Sequence, residues 1–97
     1  MVERTLLIKQ RLGLHARAAA KLVRVASAFQ SQVQLRRLEG EVTADAKSIL
    51  SVLMLAAGRG TELQAIADGV DEEAAMEAIE RLFAEGFGEV EAAESSL

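Results

Sequence analysis

The stretch VERTLLIKQRLGLHARAAAKLVRVASAF, residues 2–29, changes its apolar period once, and that change decides the fold. Val2, Leu6 and Ile8 lie on one face of an alternating segment whose other face carries Glu3, Thr5 and Lys9, the period of a half-buried strand. Gln10-Arg11-Leu12-Gly13-Leu14 breaks the alternation. From Ala16 to Phe29 the apolar positions Ala19, Leu22, Val23, Ala26 and Phe29 recur at helical spacing, with Arg17, Lys21 and Arg24 on another face. The spacing predicts an amphipathic helix that begins just after His15.

Working outward, Val33 and Leu35 alternate with Gln34 and Arg36, and Val42 and Ala44 with Glu41 and Thr43; Gly40 between them predicts a β-hairpin. Ser48 is placed to cap a second helix from Ile49 to about Ala57, apolar nearly all round and stopped near Gly58 and Gly60. So apolar a short helix should leave part of itself exposed. Leu63, Ala65 and Ala67 alternate with Glu62, Gln64 and Ile66 as a fourth strand. Asp71 is placed to cap a third helix, whose acidic start, Glu72-Glu73, suits the positive helix N-terminus and whose buried stripe is Ala75, Met76, Ile79, Leu82 and Phe83.

The order is β-α-β-β-α-β-α, an α+β domain in which a sheet of four strands buries one face under helices. The other face, with Thr5, Gln34, Arg36, Thr43 and Gln64, should meet water. The folded domain is expected over residues 1–86, and residues 87–97, where small and acidic residues alternate, are expected to form a frayed tail.

A chain of 97 residues holds one core and therefore one principal site or surface. It has no Cys, which excludes disulfides, thiolate nucleophiles and Cys-based metal clusters; one His without a carboxylate motif supplies no metal ligand set either. A reducing cytoplasm is the expected home, because the N-terminus lacks a signal-peptide core and no run reaches transmembrane length, so no membrane insertion is expected. Residues 1–48 hold nine Lys/Arg against four Asp/Glu, whereas residues 49–97 hold two against eleven. The overall charge of −4 and the lack of Tyr and Trp for base stacking argue against nucleic acid. A local phosphate or an acidic partner fits the basic half better.

Gly13-Leu14-His15-Ala16-Arg17 places the one imidazole at the junction of a turn and a helix, where several backbone N–H groups have no internal partner. The N–H groups of Ala16, Arg17 and Ala18 and the positive helix end form an anion site, and Arg17 adds a guanidinium. Neutral imidazole is a nucleophile near neutral pH, and phosphoryl transfer depends mostly on positioning and charge stabilisation. On physical grounds alone, an isolated histidine before a helix is more often a plain capping or surface residue than a phosphate carrier. Two readings thus stand at this point: a phosphoryl acceptor, or a small-molecule regulatory domain in which His15 merely caps.

Gly13 to Arg17 reproduce the GLHAR signature, and Ala19-Ala20, Leu22-Val23, Phe29, Lys47-Ser48-Ile49 and Asp71-Glu72 extend the similarity. From Val2 to about Gly86 the chain resembles the HPr family, the histidine-containing phosphocarriers of the bacterial phosphotransferase system. The resemblance implies an open-faced β-sandwich: a four-stranded antiparallel sheet covered on one side by three helices. It implies phosphorylation of His15 on Nδ1 by enzyme I, with phosphoenolpyruvate as donor, and onward transfer to an enzyme IIA. Such a protein is a monomeric carrier, not a free-standing enzyme, and needs no cofactor. A nitrogen-type or purely regulatory branch is implied equally well by the chemistry at His15.

The family usually has Pro where this chain has Ala18. Losing a proline that suits a first helical turn is worth ~0.4–1 kcal/mol. A changed rate or phosphate lifetime is expected, with function retained. Ser48 is an N-cap on either reading, and the resemblance adds regulatory phosphorylation there by HPr kinase/phosphorylase. Ile49, Leu50 and Leu53 resemble the apolar patch such proteins press against enzyme I, with Arg17, Lys21 and Arg24 as its basic rim. Val52 and Leu55 are expected in the core.

Overall fold

Four half-apolar strands bury their apolar sides together only if they join in one sheet under a common cover. The computed structural model describes residues 1–88 and has strands β1 (Val2–Leu7), β2 (Gln32–Arg37), β3 (Val42–Asp45) and β4 (Glu62–Asp68). Its helices are α1 (Ala16–Ser27), α2 (Ile49–Leu53) and α3 (Glu72–Ala84), followed by a 3-10 turn over Gly86–Gly88. The sheet order is β1-β4-β2-β3 with every neighbouring pair antiparallel, so β4 pairs with β1 on one side and β2 on the other. The register sets Leu6 opposite Leu63 and Leu35 opposite both Ala65 and Ala44, which lines up the apolar side across all four strands.

The core lies between that side and the helices. Leu6, Val33, Leu35, Leu63, Ala65 and Ala67 meet Ala19, Leu22 and Ala26 of α1, Val52 of α2, and Met76, Ile79 and Phe83 of α3, all buried. Leu82 of the expected α3 stripe is only partly buried at its edge, as are Val23 and Phe29 beside α1. On the opposite face Thr5, Gln34 and Thr43 are exposed and Arg36 and Gln64 half-buried, as a sheet covered on one side requires.

The second helix stops at Leu53, short of the expected Ala57. Leu55 and Ala56 donate to the carbonyls three residues back, Val52 and Leu53, and Ala56 then takes φ +49, which a right-handed helix cannot continue through. The Leu55 carbonyl accepts instead from Arg37 Nη1 at 2.7 Å, a bond from across the fold.

Asp71 does not cap α3 with its side chain, contrary to expectation. Its carboxylate accepts from the backbone N–H groups of Gln30 and Ser31, each at 2.9 Å, and from the Ser31 hydroxyl, tying the start of α3 to the entry of β2. The Ser31 hydroxyl first, then the Gln30 N–H, lower the Asp71 carboxyl to about 2. Glu72 reaches back instead: Oε1 accepts from Gly69 N–H at 3.0 Å and Oε2 from the Met1 amine at 2.8 Å.

The expected boundary at Gly86 falls inside the closing turn. Phe87 is fully buried, sits edge-on to Phe83 with ring centroids 4.8 Å apart, and adopts φ +59. Its carbonyl accepts from Lys21 Nζ at 2.6 Å. The rest of the expected tail, residues 89–97, lies outside the described residues.

Candidate functional site

The loop between β1 and α1 is held on three sides. Just beyond β1, Ile8 exchanges backbone bonds with the α2–β4 connection, donating to Thr61 at 3.0 Å and accepting from Gly60 at 2.8 Å. Gly13 then turns the chain at φ +66, its N–H donating to the Gln10 carbonyl while the buried Gln10 side chain donates back to the Gly13 carbonyl at 3.2 Å. Leu14 donates to the Ala57 carbonyl at 2.9 Å and buries its side chain. These bonds deliver His15 to the start of α1 in one orientation.

His15 is the N-cap, with extended backbone (φ −76, ψ 178). Its carbonyl accepts from Ala19 N–H at 2.8 Å, and its Nδ1 accepts from Arg17 N–H at 3.2 Å. An imidazole nitrogen that accepts a backbone hydrogen bond keeps its lone pair and carries no proton, which assigns the neutral ring's proton to Nε2. Nδ1 therefore faces the helix end with its nucleophilic pair directed at the donors. Ala16, Arg17 and Ala18 occupy the first three helical positions, whose N–H groups a helix leaves without internal acceptors. A group attached to Nδ1 meets those donors and the positive helix end together.

The Arg17 and Arg24 side chains are exposed on the same helix. Lys21, expected on the basic rim with them, is instead partly buried with its ammonium on the Phe87 carbonyl. Ala18, in the first turn of α1, is fully buried in the core. Ser48 caps α2, its Oγ accepting from Ser51 N–H at 3.3 Å. Asp45 sits beside it, with its carbonyl accepting from Ser48 N–H and its own N–H donating to Ser51 Oγ.

Helices α1 and α2 pack side by side. On the outside of α2, Ile49 is 44% and Leu50 68% exposed, whereas Leu53 is half-buried against the core and Val52 and Leu55 are wholly buried. Met54, 70% exposed, extends the patch; sequence reading missed it, although its position four residues after Leu50 places both on one helical face. The Gln10 and Ala57 contacts that hold the loop were also missed. Among the described residues, a groove of about 480 Å³ lies at the hairpin end of the sheet between Arg37, Leu38, Glu39 and Arg59; His15 is not part of its lining. No group of His, Cys, Asp and Glu that would hold a metal occurs among the described residues, and none of the helices there is long and apolar enough to cross a membrane.

Comparison with known proteins places this arrangement. Residues 2–85 match the family model described as the phosphotransferase-system HPr component phosphorylation site. The chain is 50% identical over 91 residues to the phosphocarrier protein HPr of Cupriavidus necator, covering 94% of this chain and all of the relative. It is also 46% identical to the phosphocarrier protein NPr of Proteus mirabilis, over 89% of this chain and 94% of the relative. A crystal structure of HPr from Thermoanaerobacter tengcongensis superposes with a TM-score of 0.87 at 39% identity, covering 93% of this chain and 99% of that one. With its sequence matched almost from end to end, its fold shared, and its one histidine set on a helix N-terminus, the chain belongs to the HPr family of phosphocarriers.

Proposed function

We propose that the chain accepts a phosphoryl group on His15 Nδ1 from enzyme I, charged by phosphoenolpyruvate, and passes it to an enzyme IIA. The observation that carries this reading is the hydrogen bond from Arg17 N–H to Nδ1. It holds the lone pair of that nitrogen at the anion-binding end of α1. In the transfer, the Nδ1 pair forms the N–P bond as the donor's bond to phosphorus breaks and its electrons leave with the donor. The Arg17 N–H loses its acceptor at that moment and donates to a phosphoryl oxygen instead, with the N–H groups of Ala16 and Ala18 and the Arg17 guanidinium beside it. The reverse sequence hands the group on. The protein itself turns nothing over.

Ile49, Leu50 and the edge of Leu53 form the apolar contact for these partners, with Arg17 and Arg24 as the basic rim and Lys21 contributing from its anchored position. Ser48 is a regulatory phosphorylation site for HPr kinase/phosphorylase. A phosphate there is tolerated by the N-terminus of α2 and acts by placing a dianion beside the patch, against an acidic partner. The chain acts as a cytoplasmic monomer.

Incubation with phosphoenolpyruvate and a cognate enzyme I should yield an acid-labile phosphate that is lost in His15→Ala. A phosphate that survives the substitution overturns the assignment. The 46% identity to an NPr favours a second reading, a nitrogen-type branch with the same chemistry and a different enzyme IIA. Which enzyme IIA drains the phosphoryl group from the loaded chain separates the two.

A further inference from the structure

The peptide unit that joins Gly13 to Leu14 is gripped at both ends. Its carbonyl accepts from Gln10 Nε2 at 3.2 Å, and its N–H donates to the Ala57 carbonyl at 2.9 Å. Because the unit is planar, two bonds on opposite sides fix its rotation as well as its position. Gly13 is where such a restraint matters most. It sits at φ +66, and without a β-carbon it takes backbone conformations of either hand at little cost, so the peptide plane after it turns over easily unless held. A turned plane gives up both bonds and re-aims the chain one residue before His15.

Gln10 supplies its grip from the interior. It is 2% exposed, and its backbone carbonyl also accepts from Gly13 N–H at 3.1 Å, so one residue holds both polar groups of Gly13. The side chain turns its NH2 end to the Gly13 carbonyl, because its oxygen end has no proton to donate. That orientation leaves Oε1 as the one buried side-chain polar atom without a partner among the described residues. A buried amide satisfied at one end only serves the fold less well than an apolar side chain of the same length. Packing therefore does not account for a glutamine here. We propose that Gln10 is a positioning residue for phosphoryl transfer: through the Gly13–Leu14 peptide it keeps His15 Nδ1 in line with the Arg17 N–H. Being buried, it offers no surface to a partner, so its effect falls on the transfer step and leaves docking as it is. Misplacing a reacting atom by about 1 Å costs as much as ~10²-fold in rate. With the Ala57 grip still in place, loss of the Gln10 grip should cost about tenfold.

The rate effect rests on the phosphocarrier reading; the hold on the ring does not. Gln10→Met keeps the length of the side chain and removes its donor. With the imidazole neutral, NMR of this variant should show the Arg17 amide shifted and the two ring nitrogens drawn together in shift, as the proton exchanges between Nε2 and Nδ1. In the enzyme I assay, kcat for phosphorylation of the variant should fall about tenfold with KM unchanged. A purely structural glutamine would lower the unfolding midpoint and leave the ring shifts and the kcat of folded protein in place, which overturns the proposal. So does a raised KM at unchanged kcat. The wild type gives a test that needs no variant: the Gln10 side-chain amide protons should exchange with solvent about tenfold or more slower than those of the exposed Gln34. Equal exchange rates overturn the proposal. Ring and amide shifts that change as expected in a chain that enzyme I never phosphorylates would uphold the positioning and sink the carrier reading instead.

Discussion

Gly13 stands directly against the backbone of Ala57: a β-carbon at position 13 would lie 2.5 Å from the Ala57 carbonyl oxygen, the same oxygen that accepts from Leu14 N–H. Gly58 Cα closes the space at 2.8 Å, and the φ of +66 disfavours any side chain there. Gly13→Ala should therefore cost about 2 kcal/mol or more. It should also push Leu14 away from Ala57 and turn His15 out of line with Arg17 N–H. Denaturant unfolding measures the first effect. A loss of phosphate acceptance in the fraction that remains folded measures the second.

Asp71 carries the clearest acid dependence. Its carboxyl is lowered to about 2 from an ordinary 3.8, chiefly by the Ser31 hydroxyl and the Gln30 N–H. A group depressed on folding adds stability that is fully present above its unfolded value and is lost as pH falls through its folded one. The protein should thus lose stability as pH drops from about 4 toward 2. Glu72, lowered by the hydrogen bond from the Met1 amine, adds to the same trend. In Asp71→Asn the denaturation midpoint should be lower at neutral pH and fall less steeply with acid. A midpoint-against-pH curve of unchanged slope would show that the contacts with Ser31 and Gln30 do not set it.

Phe87 behaves as core despite its place between two glycines. Phe87→Ala removes a fully buried ring from its edge-on contact with Phe83 and should destabilise by about 3 kcal/mol or more. A thermal melt that moves by only a degree or two would contradict this placement.

Leu50 gives the opposite pattern. At 68% exposure it adds little to the fold, so Leu50→Ala should leave unfolding free energy within ~0.5 kcal/mol. If it anchors a partner, the KM of the phosphoryl donor for this carrier should rise about tenfold. The two measurements together distinguish a docking residue from a core one.

The strands were legible because each hides one face: Leu6, Val33, Leu35, Leu63 and Ala65 betray themselves by alternation alone. The start of α1 was legible for a related reason, since the period changes at His15. Other features depend on residues distant in sequence. The apolar run from Ile49 to Ala57 looks helical throughout, and only the bond from Arg37 to Leu55 and the positive φ of Ala56 explain why the helix stops at Leu53. Asp71 has the look of a cap, yet its partners lie 40 and 41 residues earlier. Phe87 has no periodic neighbours to mark it as buried. At the site, the GLHAR stretch placed His15 at the start of α1, as found, while the clamp by Gln10 and Ala57 required the loops to be seen together.

The place of β4 between β1 and β2 has a consequence for how the protein is made. The first strand starts at Val2, but its partner among the described residues, β4, ends at Asp68. At synthesis rates of about 5–20 residues per second, the N-terminal strand waits for several seconds as an unpaired edge. The oxygen that fixes Leu14 also belongs to the late half, on Ala57. A nascent chain thus has the histidine long before it has the clamp on the loop that carries it, which forms only after residues 57–68 have been made.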